Sequence, residues 1–331
     1  MVRIGFLGVA HPHSSIYIDS LRRARAEVRG LYDLDPERAA WWGSANDVPC
    51  FPSGESLASE VDGVLVCAET PYRRRLVNIA AAAGVAVLCE VPLGPGPEDS
   101  EAIIDACERA RVPLMTALPV RFDPTVLQLR DLVARGDLGR IRAFSGVNQS
   151  RIPVRDGSRF AIESVVGEGS MMDNAIHLAD AYSWILGSEP EEVYAVGNRI
   201  VTSDLATGET SALLIVSYAA GVFGSIDCSW NQPLNYPARD RFALSVVGDD
   251  GPAGVEPMRQ RLTHFGGPQK YSWLGWEVPA HLPMIQEFLA CTIDRRVPVV
   301  DGMDGLRASK VVWAALESYR TGTPIRVVPA T

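Results

Sequence analysis

The sequence predicts an α/β fold in two parts: a parallel-sheet domain over residues 1–120, then a second α/β domain over 121–331 built on a large, mainly antiparallel open sheet. Three observations carry this prediction. Strand-like and helix-like segments alternate from residue 2 to residue 118, the pattern of βαβ units. Past residue 120, strand-like stretches follow one another with only turn residues between them, which reads as antiparallel pairing. A length of 331 residues also exceeds one ordinary core and suits two domains.

The elements follow in order. Val2–Leu7 is a short apolar run ending at Gly8, and Ser14–Glu27 has helical spacing through Ile16, Ile18, Leu21 and Ala24. Val28–Tyr32 reads as the second strand, and Asp35-Pro36-Glu37 opens a helix with Asp35 as N-cap and Pro36 in the first helical position. Val61–Cys67, Val85–Glu90 and Val112–Leu118 are the next strands, separated by helices over Pro71–Ala83 and Pro97–Arg111. In the second part, helices are expected over Pro124–Arg135, Ser170–Leu186, Leu282–Asp294 and Gly305–Tyr319. Strands are expected near Arg140–Asn148, Val193–Val201, Ser211–Tyr218, Val222–Ser229 and Phe242–Val247.

Composition narrows the function. Forty acidic against 31 basic residues, a net charge of −9, argue against a nucleic-acid partner, because that affinity rests on Lys and Arg neutralising phosphates. The longest apolar runs are too short to span a bilayer, so no membrane partner is expected. Met1-Val2-Arg3-Ile4-Gly5 runs straight into a strand without the features of a signal peptide, which gives a cytoplasmic expectation. The six cysteines are scattered with no Cys-x-x-Cys pair, so they read as structural. Lysine occurs only at Lys270 and Lys310.

The loop Gly8-Val9-Ala10-His11-Pro12-His13 follows a strand and precedes a helix, as a dinucleotide-binding Rossmann loop does. Small residues there allow a tight turn and close approach of a pyrophosphate to the helix N-terminus. Of the three glycines usual in such a loop, only Gly8 is present; Ala10 and His13 stand for the other two. Asp33 follows His13 by twenty residues, at the end of the second strand, where a carboxylate accepts hydrogen bonds from ribose hydroxyls and repels a 2′-phosphate. NAD is therefore favoured over NADP. His11 and His13 read as capping or packing residues, and no metal is expected, since His-x-His has no further ligand nearby in the chain.

With these motifs in view, the sequence resembles the glucose–fructose oxidoreductase / inositol dehydrogenase (Gfo/Idh/MocA) family over nearly its whole length. Val61 to Pro71 resembles the family's third strand and T-P loop; Glu90-Val91-Pro92 resembles its E-K-P stretch; Arg121-Phe122-Asp123-Pro124 resembles its R-F-D-P entry to the second domain. Gly167 to Asp180 is similar to its G-G-G-x-x-x-D-x-G-x-H-x-x-D motif, and Asp301 to Gly322 to its closing helix. The resemblance implies an NAD(P)-dependent oxidoreductase moving hydride between the nicotinamide and a sugar, cyclitol or other polyol. It places Thr70, Pro71, Arg75, Glu90 and Val91 beside the cofactor, with Gly8, Ala10, His11, His13 and Asp33. It also implies a homodimer or homotetramer through the open sheet.

Asp173, His177 and Asp180 fall at i, i+4 and i+7 and are expected on one helical face. Removing a hydroxyl proton suits imidazole, and a neighbouring carboxylate can orient it. In the resembled enzymes the residues matching Asp173 and His177 carry this chemistry. The family's E-K-P lysine, however, is Val91 here, and valine neither donates a hydrogen bond nor relays a proton. Three readings stay open: an oxidoreductase with His177 as base and Arg75, Arg121 or another group orienting the substrate; an NAD-using enzyme of elimination, epimerisation or glycoside cleavage; and a catalytically silent ligand-binding or regulatory protein. Lys270 is a candidate stand-in amine, Arg151, Arg155 and Arg159 read as a solvated loop, and Trp41, Trp42, Tyr271, Trp273 and Trp276 read as packing residues rather than sugar platforms.

Overall fold

The computed structural model of the protein describes residues 1–152, 169–201, 206–233, 236, 240–257, 261–265, 271–275 and 280–329, with backbone alone at 240, 261–265 and 271–275. The described chain forms two compact units. The first comprises Met1–Pro119 and Ala280–Ser309; nearly all the rest belongs to the second. Residues 280–309, which sequence order places in the second domain, thus make their contacts in the first.

The first unit holds a five-stranded parallel sheet in the order β2-β1-β3-β4-β5: β1 Arg3–Leu7, β2 Glu27–Tyr32, β3 Gly63–Val66, β4 Ala86–Cys89 and β5 Leu114–Thr116. All residues of β3 and β4 are buried, as expected where helices cover both faces of a parallel sheet. The chain leaves β1 for one side and returns to the other at β3, so the strand order reverses there and opens a ligand crevice at the strand ends. The helices are α1 Ser14–Arg23, α2 Pro36–Asn46, α3 Gly54–Ala58, α4 Arg73–Ala82 and α5 Pro97–Ala110. Helix α1 stops earlier than expected because Arg25 takes φ 57° and Glu27 already belongs to β2. Asp35 caps α2 as expected, accepting from the Glu37 and Arg38 amides at 2.9 and 3.1 Å. Short α3, not anticipated, is fixed by a reciprocal Ser53–Ser56 capping box.

The Asp301-Gly-Met-Asp-Gly305 stretch joins this unit through β5. The Thr116 hydroxyl donates to the Asp301 carbonyl at 2.7 Å, and the Asp301 and Asp304 carboxylates cap each other's amides.

The second unit carries a seven-stranded sheet in the order β11-β10-β6-β9-β8-β7-β14. The strands are β6 Ile141–Ser150, β7 Pro190–Asn198, β8 Ser211–Tyr218, β9 Phe223–Ser229, β10 Asp240–Gly248, β11 Gly251–Val255 and β14 Ile325–Arg326. All neighbours are antiparallel except β6 and β9, so the sheet is mixed but mainly antiparallel, as expected. Strands β12 Arg261–Phe265 and β13 Tyr271–Gly275 form a separate hairpin. Helices α6 Pro124–Ala134 and α7 Ile176–Leu186 belong to this unit, with α7 against β6 and β9. Along β8 burial alternates: Ala212, Leu214, Val216 and Tyr218 face the core, while Leu213 and Ile215 stay exposed beside Tyr194 and Val196 of β7. Helices α8 His281–Asp294 and α9 Gly302–Thr321 close the chain, α8 packing on α1. Among the described residues no helix is long and apolar enough to cross a membrane.

Candidate functional site

The nucleotide loop is built first by a glycine. Gly8 leaves β1 at φ +81°, and a Cβ there would lie 2.5 Å from that of Ala68, so a side chain is excluded on both conformational and steric grounds. Four loop amides are spent on the protein: Gly8 donates to the Tyr32 carbonyl at 2.7 Å, Val9 to Asp33 Oδ2 at 2.8 Å, His11 to the Cys67 carbonyl at 2.8 Å and His13 to His11 Nδ1 at 3.3 Å. The amide of buried Ala10 has no partner among the described residues and so stands ready for an acceptor such as a phosphate oxygen. Helix α1 follows with His13 at its N-cap and no acidic residue in its first turn, so its dipole favours an anion there, while its first amides, those of Ser14, Ser15 and Ile16, already meet the His11, Pro12 and His13 carbonyls. These residues fit a dinucleotide pyrophosphate. The bulky His13 ring turns toward Glu90, Tyr17 and His281, with ring centroids 5.7 and 5.4 Å from the last two.

Asp33 is placed where the sequence puts it but is differently occupied. Its two oxygens take four donors: the Val9 and Asp35 amides at 2.8 Å each, and Arg38 Nε and Nη2 at 3.0 and 2.6 Å. Four donors fill a carboxylate, so the expected ribose contact meets a side chain already committed to the protein. Arg38 also grips Glu69 at 2.7 and 3.1 Å, and all three side chains are buried. Burial works against the Arg38 proton, but its bonds to Asp33 and Glu69 outweigh that and raise its pKa. Two carboxylates about one guanidinium leave a net negative charge at the end of β2. Sequence reasoning found Asp33 and missed Arg38 and Glu69; the helix start at Asp35 was the available signal, since it puts Arg38 in the first turn beside the end of β2.

The end of β4 delivers Glu90 to both histidines. Nδ1 of His11 and of His13 lie 3.2 and 3.1 Å from the same Oε1. Burial pushes the Glu90 carboxyl up, yet the two histidines overcome it and hold the group well below the usual carboxylate range; burial lowers the His11 pKa. The chain neighbourhood of His11 and His13 supplies no further ligand, whereas the fold brings one from 77 residues beyond His13. Thr70 is buried at the start of a 3-10 turn and Pro71 is exposed in it. Val91 is buried and precedes a cis peptide bond to Pro92. Arg75 is exposed on α4, while Arg73 two residues earlier is fully buried. Its guanidinium donates to the Ala68 carbonyl at 3.0 Å, to the Glu90 carbonyl at 3.2 Å and to the Pro92 carbonyl, so Arg73 is the arginine that ties the two loops together. Trp42 is likewise interior, its indole donating to Ser14 at 3.1 Å, whereas Trp41 is exposed.

In the second unit the expected helix from Ser170 begins differently. Met171–Ala175 is π-helical, and α7 takes over at Ile176. The cause lies in what holds the turn. Glu209 accepts the Met171 amide at 2.7 Å, and Gly169 passes so close that a Cβ would lie 2.2 Å from Glu209 Oε2. The Asn174 amide donates to Ser150 Oγ and the Ser229 carbonyl, both at 3.1 Å, while Asn148 donates to the Asn174 carbonyl at 2.8 Å. The wider turn takes Asp173 out of the i, i+4 register with His177, whereas His177 and Asp180 both lie on regular α7. Asp173 is half-buried and accepts from the Trp230 indole at 2.8 Å, not from His177. His177 is half-buried on the first turn of α7. Asp180 is buried in a bidentate pair with Arg121 at 2.6 and 2.9 Å, so it positions Arg121. The Arg121-Phe-Asp-Pro stretch thus combines a buried ion pair with an N-cap, because Asp123 accepts from Thr125 at 2.8 Å to start α6. Trp230 and Glu209 had no local signal in the sequence. Arg151 donates to the Tyr236 carbonyl. Arg155, Arg159, Lys270 and Trp276, and the side chains of Tyr271 and Trp273, lie outside the described residues.

Comparison with known proteins agrees with this architecture. The chain is 28% identical over 356 residues to D-apiose dehydrogenase of Paraburkholderia graminis, covering 99% of this chain and 88% of that one. It is 28% identical over 277 residues to myo-inositol 2-dehydrogenase of Thermotoga maritima, covering 81% and 80%. Its fold superposes on scyllo-inositol dehydrogenase of Lactobacillus casei, solved with NAD(H) and scyllo-inositol, with a TM-score of 0.81 over 99% of each chain at 16% identity. Residues 2–118 match the oxidoreductase family with an NAD-binding Rossmann fold, and residues 126–253 match the GFO/IDH/MocA C-terminal domain. With both characteristic domains present in order, the chain belongs to the Gfo/Idh/MocA family of NAD-linked oxidoreductases.

Proposed function

We propose that the protein is a dehydrogenase that takes NAD in preference to NADP and acts on a secondary hydroxyl of a sugar or cyclitol, with His177 as the base. NAD, when bound, supplies the hydride acceptor. Gly8, the Ala10 amide and the start of α1 hold its pyrophosphate; the negative Asp33–Arg38–Glu69 cluster disfavours a 2′-phosphate; Thr70, Pro71 and Val91 lie in the loops expected to border it. Half-buried His177 takes the hydroxyl proton. Asp173, kept in place by Trp230, bears on the same substrate, and Arg121 is oriented by Asp180. The observation that carries the reading is the nucleotide loop: a turn only glycine can make, with one buried amide left for an anion, at the positive end of α1.

The buried Val91 in place of the family lysine favours a second reading, in which turnover proceeds without net oxidation. One experiment separates them. The protein is titrated calorimetrically with NAD and NADP, then assayed with NAD across inositols, aldoses and branched pentoses. NADH formation that is lost in His177→Ala supports the proposal. Product without NADH supports the non-redox reading. NAD binding with no turnover across the panel points to a silent binding protein.

We also place the enzyme in the cytoplasm, a reading supported by six cysteines that are all thiols, and as a homo-oligomer through the open sheet face bearing Tyr194, Val196, Leu213 and Ile215. Light scattering is expected to show a dimer or tetramer that Leu213→Glu dissociates; a parent that is monomeric at micromolar concentration removes the assignment.

A further inference from the structure

Two imidazoles and a carboxylate converge at the nucleotide loop. Nδ1 of His11 and Nδ1 of His13 stand 3.2 and 3.1 Å from one Glu90 oxygen, and one donor atom from each residue lies within 4.8 Å of the others. The side chains are enclosed, with 5%, 20% and 1% exposure for His11, His13 and Glu90. The Tyr17 hydroxyl, 3.4 Å from His13 Nδ1, and the His281 ring add to the enclosure.

Hydrogen bonds alone leave a conflict here. The His13 backbone amide donates to His11 Nδ1 at 3.3 Å, which requires a lone pair on that nitrogen. The same lone pair then faces a carboxylate oxygen at 3.2 Å, acceptor against acceptor. A proton on Nδ1 answers Glu90 but sets two N–H groups against each other. A cation shared by the three residues removes the conflict, because the imidazole lone pairs and the carboxylate oxygen all serve as ligands. Donors placed about 2.0–2.2 Å from a tetrahedral ion stand roughly 3.3–3.6 Å apart, close to the spacing found here.

We propose that His11, His13 and Glu90 form a divalent transition-metal site that ties the nucleotide loop to the end of β4. Two nitrogens and one oxygen suit a borderline ion such as Zn²⁺ rather than Mg²⁺ or Ca²⁺, which take all-oxygen shells. Three protein ligands leave a fourth position to water or a neighbouring side chain, and burial shields that position from bulk solvent. Two neutral imidazoles and one carboxylate on a divalent ion leave one net positive charge at the start of α1, on the pyrophosphate side of the fold.

The test uses full-length protein stripped with chelator and reloaded with Co²⁺. One Co²⁺ per chain is expected, with the visible bands of a four-coordinate ion, displaced by Zn²⁺. Glu90→Gln and His11→Gln are each expected to weaken Zn²⁺ binding by about 100-fold or more, with folding checked by circular dichroism. Should either variant fail to fold, X-ray absorption of the Zn²⁺-loaded parent decides: imidazole scattering in a nitrogen and oxygen shell supports the site, and sulfur in the shell overturns it. Failure of the reloaded parent to take up Co²⁺ or Zn²⁺ overturns it too, as does an affinity indifferent to Glu90→Gln.

Discussion

The nucleotide loop of the first unit and, in the second, the π-turn with the start of α7 both carry histidine and carboxylate side chains, yet they leave those groups in opposite states. At the loop, Asp33 has four donors and Glu90 two histidines, with both carboxylates in the interior. At the π-turn, Asp173 has one indole donor, and Asp173 and His177 are both half-buried. A titratable group whose partners are complete holds backbone in place. One that is partly satisfied and still reached by solvent can bind a substrate hydroxyl and exchange a proton with it. On the proposed function the two regions divide the work: the loop shapes a cradle, and the π-turn with the start of α7 presents chemistry.

That division can be broken by substitution. The largest effect is expected for His177→Ala, with kcat lowered about 10²–10⁴-fold and NAD affinity unchanged, measured by steady-state kinetics beside calorimetry. A variant that loses NAD affinity but keeps kcat would reverse the assignment. Next is Arg38→Ala, which strands Asp33 and Glu69 in the interior. Breaking a buried pair costs about 3–5 kcal/mol, read from denaturant unfolding, and NAD binding should weaken with it because Asp33 holds the Val9 amide. Trp230→Phe keeps the ring and removes the hydrogen bond to Asp173; kcat/KM is expected to drop about tenfold, softened by water replacing the donor at a half-buried carboxylate. The smallest effect is expected for exposed Arg75→Ala, with NAD affinity and turnover within error of the parent. A loss there comparable to that of Trp230→Phe would mean that Arg75, not buried Arg73, serves the cofactor loop.

Periodicity and punctuation made the sheet-forming elements legible. Asp35-Pro36, Asp123-Pro124 and Gly8 are local signals, each explained by its own amides and dihedrals, and the structure places them at α2, α6 and the nucleotide turn. The site was legible only by residue type. His177 and Asp173 stand out along the chain, but the helical register that joined them to Asp180 assumed 3.6 residues per turn. Glu209 and Gly169 override that assumption from positions 38 or more residues apart. The resemblance points to Arg75 by its place after the T-P loop, whereas burial singles out Arg73, two residues earlier.

The sequence by itself determined a parallel α/β domain with a nucleotide loop, a mainly antiparallel second sheet, and the family that these motifs belong to, because each depends on short-range spacing and backbone preference. Tertiary structure alone decided who partners whom: Asp33 with Arg38 and Glu69, Asp173 with Trp230, Asp180 with Arg121, and Glu90 with His11 and His13. The reason is physical. A buried charge must find its counterpart wherever the chain path brings one, and that path is set by packing of the whole core rather than by neighbours in sequence.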